Sequence, residues 1–404
     1  MREQASQRFR SSDRQQGGGR RRALRAAAAV AGGAMTMGLL AAPAASAASG
    51  TSATSGTSRP DAVQQGLTAL LQSDGTPGAL ASVTDRYGRT RTYTAGVGDV
   101  TTGAKVPDDG QVRIGSNTKA FTAAVVLQLV GQHRIDLGAK VEDYLPGLVR
   151  GEGAGAGIDG NGITVRQLLQ HTSGLPNYSK YLDDDVRYYD PRELVGIALR
   201  HPADFDPGKG WAYSNTNYVL AGLIVESVTH RSLATEIDRR IIKPLGLRHT
   251  YFPAPGDATI REAHPHGYYR DEAGALVDIT DMDPSWGWAA GQLVSTNSDL
   301  NRFYSALLTP GRLLLPEQLR QMQDTVPAEE TFGPGAGYGL GLVSMPLPCG
   351  PGVYWGHGGS FPGFETRGGV TTDGRAANVA VTVQLTDQPS RSRVDDVVRT
   401  ALCR

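Results

Sequence analysis

The sequence predicts an α/β protein: one antiparallel sheet built from both chain ends, flanked by helices, with a mainly helical subdomain inserted between the two halves. Strand-like runs occur at 79–85 and 89–96, and again at 353–356, 365–371 and 378–385. Between them, apolar residues recur with helical period.

Taken in order, Asp61 to Gln72 carries valine and leucines at helical spacing, and the first two strand runs flank a Tyr87-Gly88 turn as a hairpin would. Ser116-Asn117-Thr118-Lys119 then opens an apolar run from Ala120 to Val130, which puts a serine and a lysine at the start of a helix. Further helices are expected at 165–169, 191–199, 218–228, 233–242 and 299–308, with the glycine-rich 151–162 as a surface loop. The late strands turn at Thr372-Asp373-Gly374, and 388–402 closes the chain as a helix.

The N-terminal stretch stands apart. Arginines at 20–22 and 25 precede an apolar segment, Ala26 to Leu40, and small residues ending at Ala45-Ser46-Ala47. Residues 1–47 therefore read as an export signal cut near Ala47, by the general or the twin-arginine route, with an uncleaved anchor as the alternative. Residues 48–60 have the composition of a disordered linker, and 61–404 read as one folded domain. In the oxidising setting that secretion implies, one Cys349–Cys403 disulfide is the simplest account of two cysteines, and two separate buried thiols are the other. Forty acidic and forty basic residues cancel, which removes the footprint of a nucleic-acid binder or a polybasic membrane patch. The expected partner is a small molecule or peptide, and the expected state a monomer without a stable membrane anchor.

The chemistry starts from Ser116 and Lys119. At a spacing of three on a helix the two side chains share a face, and a hydroxyl beside an amine is an activatable nucleophile. The lysine is informative because the chain has only six among forty basic residues, and arginine cannot serve as a base. Two further motifs follow, Tyr213-Ser214-Asn215 and His357-Gly358-Gly359. Ser-X-X-Lys, Tyr-X-Asn and a basic residue before X-Gly, in this order, resemble the active-site triplet of the penicillin-recognising serine hydrolases, in particular D-alanyl-D-alanine carboxypeptidases and class C β-lactamases. The similarity runs from about Val63 to the C-terminus and includes 168–175, Asp206-Pro207-Gly208 and 291–296.

The resemblance implies a β-lactamase/transpeptidase-like fold and assigns roles. Ser116 would attack a carbonyl, Lys119 or the Tyr213 phenolate would take its proton, and an acyl-enzyme would form. Tyr213 would return a proton to the leaving amine, its pKa lowered by a Lys119 ammonium. The backbone N–H groups of Ser116 and Ser360 would hold the oxyanion, with Gly359 letting substrate approach, and Asn215 would donate to the substrate's amide carbonyl. His357 stands where the β-lactamases carry lysine and, neutral or protonated, would help hold a terminal carboxylate, so that activity weakens above the histidine's pKa if its proton matters. No metal or organic cofactor is implied. Removal of a terminal D-alanine from cell-wall peptides, with β-lactams as slowly released inhibitors, is the first expectation. Esterase, β-lactamase and D-aminopeptidase activity are the alternatives within the fold, and a silent cell-wall or β-lactam receptor outside enzymology.

Each residue also has a plainer reading. Tyr213-Ser214-Asn215 by itself could be a capped helix start, and a histidine between glycines a solvated loop residue. His264-Pro265-His266 lacks a third ligand and reads as surface. His171 reads as a helix end and Ser173 as structural, while Trp286 and Trp288 suit a cleft wall or the core equally. Gly358-Gly359-Ser360-Phe361-Pro362 breaks the Gly-X-Ser-X-Gly elbow at its last position, which argues against an α/β-hydrolase.

Overall fold

The structure is a computed structural model that describes residues 61–182 and 187–404. The expected export signal and linker lie outside the described residues. Helix α1 (Ala62–Asp74) starts on Asp61, whose carboxylate accepts from the Val63 N–H at 2.9 Å, and stops at Gly75 in the left-handed region, φ 58°. Strands β1 (Gly78–Thr84) and β2 (Thr90–Gly96) follow as the expected hairpin, with Asp85 Oδ1 accepting from the Tyr87 and Arg89 amides across the turn.

The central helices are α2 (Thr118–Gly131), α3 (Val165–Gln170), α4 (Pro191–Leu199), α5 (Asn215–Thr229) and α6 (Asn297–Leu308). Both α2 and α5 are apolar almost all round, so each must be buried on every side, and they pack against each other in the main core. The helix expected at 233–242 is α-helical only over Leu233–Ile237 and continues as a π turn over Asp238–Ile242. The 151–162 loop holds two single 3₁₀ turns, Gly153–Gly155 and Gly160–Gly162.

The later strands are β3 (Val326–Pro327), β4 (Gly337–Tyr338), β5 (Val343–Pro346), β6 (Val353–Gly356), β7 (Gly359–Phe361), β8 (Phe364–Thr371) and β9 (Ala376–Val381), before the closing helix α7 (Gln388–Leu402). Among the described residues they join the first hairpin in one nine-stranded antiparallel sheet, ordered β2-β1-β9-β8-β6-β5-β4-β3, with β7 also on β8. This is the β-lactamase/transpeptidase-like α/β fold, its sheet assembled from both chain ends. Three late strands were expected and seven are present. The four extra ones are short or interrupted by proline and glycine, too brief for alternation to register. The last strand ends at Val381 rather than Leu385: Thr382 N–H still donates to Gly78 O of β1 at 3.0 Å, but Gln384 N–H donates to Tyr268 O at 3.1 Å.

Helices α1 and α7 cover one face of the sheet around Val63, Leu67, Val394 and Val398, and α6 with the helical block covers the other. Cys349 and Cys403 form the expected disulfide, Cα–Cα 5.7 Å, tying the β5–β6 loop to the end of α7. Among the described residues no helix is long and apolar enough to cross a membrane.

Candidate active site

Ser116 sits in a 3₁₀ turn, Gly115–Asn117, immediately before α2, rather than on the helix itself. Gly115 enters the turn at φ 49° and lies against the backbone of β7, where a Cβ would meet Ser360 O at 2.7 Å. Thr118 Oγ1 accepts from the Leu293 N–H at 3.1 Å, and Asn117 Nδ2 donates to Thr366 Oγ1 on β8 at 2.8 Å. The nucleophile turn is thus clamped between the sheet and the 289–293 segment.

Lys119 is fully buried, and its Nζ has three polar neighbours: Ser116 Oγ at 3.0 Å, Asn215 Oδ1 at 2.7 Å and Ala290 O at 2.8 Å. Burial holds its pKa well below the ordinary lysine value. A neutral amine has two N–H groups and one lone pair. Asn215 Oδ1 and Ala290 O can only accept, so they take both N–H groups and leave the lone pair for the Ser116 hydroxyl. Asn215 is the first residue of α5, and its own N–H donates to Asn177 Oδ1 at 3.2 Å.

The Tyr213 ring centroid lies 4.8 Å from Lys119 Nζ, and Ser116 is near enough to favour its phenolate. Its pKa is raised, burial outweighing the opposing effects of Ser116 and Arg367. This corrects the expectation of a lowered pKa: burial disfavours the charged phenolate by more than its neighbours stabilise it. Ser214 takes the N-cap position without making a side-chain cap bond. Behind it His171, with φ 61° at the end of α3, accepts the Ser214 N–H through Nδ1 at 3.3 Å and packs its ring 4.5 Å from that of Tyr213. Ser173 is structural, donating to Asn217 Oδ1 of α5 at 2.5 Å.

His357 is buried and lines the cleft, but it does not do what its position suggested. Nδ1 lies 2.5 Å from Gly358 O and Nε2 3.2 Å from the Tyr338 hydroxyl, so the ring donates to the carbonyl, accepts from the phenol and has no nitrogen left for a substrate. Burial, then Lys119, pulls its pKa down to about 3. It is uncharged at neutral pH, which removes the pH dependence expected of it, and its two engaged nitrogens leave no donor for the expected carboxylate.

Gly359 and Ser360 form the facing wall. A Cβ at Gly359 would meet Ile114 O at 1.9 Å, so only glycine lets β7 lie against the nucleophile turn. The cleft, ≈ 460 Å³, is lined by Ser116, Tyr213, Asn215 and His357–Ser360, and continues past Arg367 to Arg391 and Asp395. Trp286 lines it, stacked 5.2 Å from Phe361, whereas Trp288, half-buried, packs on Gly222 against the main core. Among the described residues no cluster of His, Cys, Asp or Glu could hold a metal ion.

Sequence reasoning missed Ala290, Asn177, Tyr338, Glu365 and Arg367. Ala290 acts through a backbone carbonyl, which no side-chain pattern reports. Asn177 lies two residues beyond the matched 168–175 stretch and could have been suspected from that position.

A half-buried serine beside a buried lysine and a protonated tyrosine, facing a glycine-lined edge strand, defines a serine hydrolase of the β-lactamase and penicillin-binding superfamily. The family model described as Beta-lactamase matches residues 63–402, and the chain belongs to that family. Among solved structures it is similar to a D-stereospecific amidohydrolase from Streptomyces sp., with TM-score 0.75 and 38% identity over 84% of this chain and 98% of that one. The D-amino acid amidase of Ochrobactrum anthropi SV3 matches with TM-score 0.72 and 28% identity over 84% of this chain and 96% of that one. Penicillin-binding protein 4* of Bacillus subtilis is 26% identical over 68% of this chain. The chain spans 61% of that relative's length and 42% of other curated relatives'.

Proposed function

We propose that the chain hydrolyses amide bonds of D-configured amino acids through an acyl-enzyme on Ser116. The observation that carries this reading is the engaged, uncharged His357, which leaves the expected clamp for a terminal carboxylate without a donor. The acylation apparatus needs no such clamp, and the similarity to the Streptomyces D-stereospecific amidohydrolase supports an amide substrate.

In the proposed cycle Ser116 Oγ adds to the amide carbonyl while its proton passes to the Lys119 lone pair. The oxyanion is held by the Ser116 and Ser360 N–H groups. Asn215, fixed on Lys119 through Oδ1, turns an amide N–H₂ without a partner among the described residues to the substrate. Tyr213, kept protonated by burial, gives its proton to the leaving amine as the C–N bond breaks, and the Lys119 ammonium restores it. Water then attacks the ester by the same route in reverse.

A second reading, carboxypeptidase action on peptides ending in D-alanine, is favoured by Arg391, which lines the cleft with no ion pair among the described residues. The deciding experiment compares kcat/KM on a D-amino-acid p-nitroanilide, its L enantiomer, and a D-alanyl-D-alanine peptide with free or amidated terminus. The amidase reading expects a preference for D over L and indifference to the terminal carboxylate. A strong demand for the free carboxylate overturns it in favour of the second reading.

We also propose export with cleavage after Ala47, and a monomer. N-terminal sequencing of secreted protein should start near Ala48, and light scattering should give one chain's mass.

A further inference from the structure

On β8 the side chains of Glu365 and Arg367 share one face, as residues two apart must, and it is the face that α7 covers. Glu365 is completely buried, and both its oxygens lie within reach of the Ser360 hydroxyl, at 2.9 and 2.7 Å. Arg367 ion-pairs with Glu365 and lies 3.6 Å from Asp395 of α7. Its guanidinium runs beneath Gly358, where a Cβ would meet Nη1 at 2.6 Å. This line of charge leads from the last helix to the residue assigned the second oxyanion donor, and nothing in the proposed cycle uses it.

The strand register explains what it does. β7 and β8 are joined by the two-residue turn Pro362-Gly363, with Phe361 opposite Phe364, Ser360 opposite Glu365 and Gly359 opposite Thr366. In such a hairpin the pair flanking the turn is hydrogen-bonded and pairs alternate thereafter. Ser360 is therefore at a position without ladder bonds, its N–H and C=O directed off β8 toward the Ser116 turn. Among the described residues, the hydrogen bonds that tie Ser360 sideways to β8 are those of its side chain to Glu365. Arg367 balances the carboxylate, which would otherwise put an unpaired buried charge beside a developing oxyanion.

We propose that Glu365, fixed by Arg367 and Asp395, is a positioning residue that anchors Ser360 so that its amide points at the reacting carbonyl. The inference rests on the proposed acyl-enzyme reading. Complete loss of an oxyanion donor costs about 10²–10³ in kcat, and a donor that is loosened but present should cost about 10–100-fold. Ser360→Ala removes the tie but keeps the amide and the ion pairs, so it should fold normally and lose kcat by that factor with KM changed less than about threefold. Glu365→Gln, which keeps an acceptor for the Ser360 hydroxyl, should retain several-fold more kcat than Glu365→Ala. Should Glu365→Ala fail to fold, Ser360→Ala alone decides. Full kcat in Ser360→Ala, or a loss carried by KM, overturns the positioning role. The same assay on Ser116→Ala separates the two claims: activity there overturns the acyl-enzyme reading, whereas a dead Ser116→Ala beside a fully active Ser360→Ala overturns the positioning role alone.

Discussion

Replacing Gly359 by alanine tests the contact on which the site is built. The new Cβ would stand 1.9 Å from Ile114 O, 2.7 Å from Thr366 Oγ1 and 2.9 Å from Asn117 Nδ2. Side chains can yield a little, but Ile114 O is backbone and two residues from the nucleophile. Relieving the contact to 3.0 Å, the shortest that real Cβ atoms show, moves β7 and the Ser116 turn apart by about 1 Å. A shift of that size in a reacting geometry costs about 10²-fold, and loss of an oxyanion donor 10²–10³-fold. The expected result is a kcat/KM on a D-amino-acid p-nitroanilide lower by about 10²–10³, in a protein whose circular dichroism still shows the native fold. Gly196→Ala is the control: nothing lies within 4 Å of its Cβ, it sits inside α4, and it should leave activity unchanged while adding up to about 1 kcal/mol of stability. A folded Gly359→Ala enzyme within about fivefold of wild type would refute the close docking of β7 on the nucleophile turn.

Other outcomes follow from the same groups. Lys119 must be neutral to act as base and its pKa is lowered, so kcat/KM should rise once with pH and then stay level; Tyr213, raised above 10.0, should add no alkaline fall below that pH. Lys119→Arg, which keeps charge but cannot accept a proton, should lose at least about 10²-fold. His357 is held neutral, with its folded pKa below the unfolded 6.5, so its contribution to stability is complete above pH 6.5 and is lost as pH falls toward about 3. By pH 4.5 that loss should reach about 3 kcal/mol in urea unfolding, and His357→Gln should lack it. Replacing both cysteines by serine opens a loop of 54 residues and should cost roughly 4 kcal/mol, read as a lower urea midpoint.

The residues legible in the sequence were those whose chemistry is carried by side-chain type at short spacing. Ser116 and Lys119 are three apart, Tyr213 and Asn215 two apart, and the sheet's long strands alternate over enough residues to be recognised. The state of those residues was not legible, since it depends on what buries them. Tyr213 and His357 shift opposite to or beyond expectation because both are enclosed by rings from distant segments, Tyr338, Phe332 and His171 among them. Ala290 enters through its carbonyl and Glu365 through a strand register, and neither leaves a trace in composition. The short strands β3, β4 and β7 have too few residues to show a period, although β7 carries Gly359 and Ser360.

The central claim is that Ser116 is the nucleophile, and a covalent label reads it directly. The enzyme treated with a fluorophosphonate, digested and analysed by mass spectrometry should carry one adduct, on the peptide containing Ser116, and Ser116→Ala should carry none and hydrolyse nothing. An adduct on Ser360 or Ser173 instead, or a Ser116→Ala protein with undiminished activity, would contradict the account.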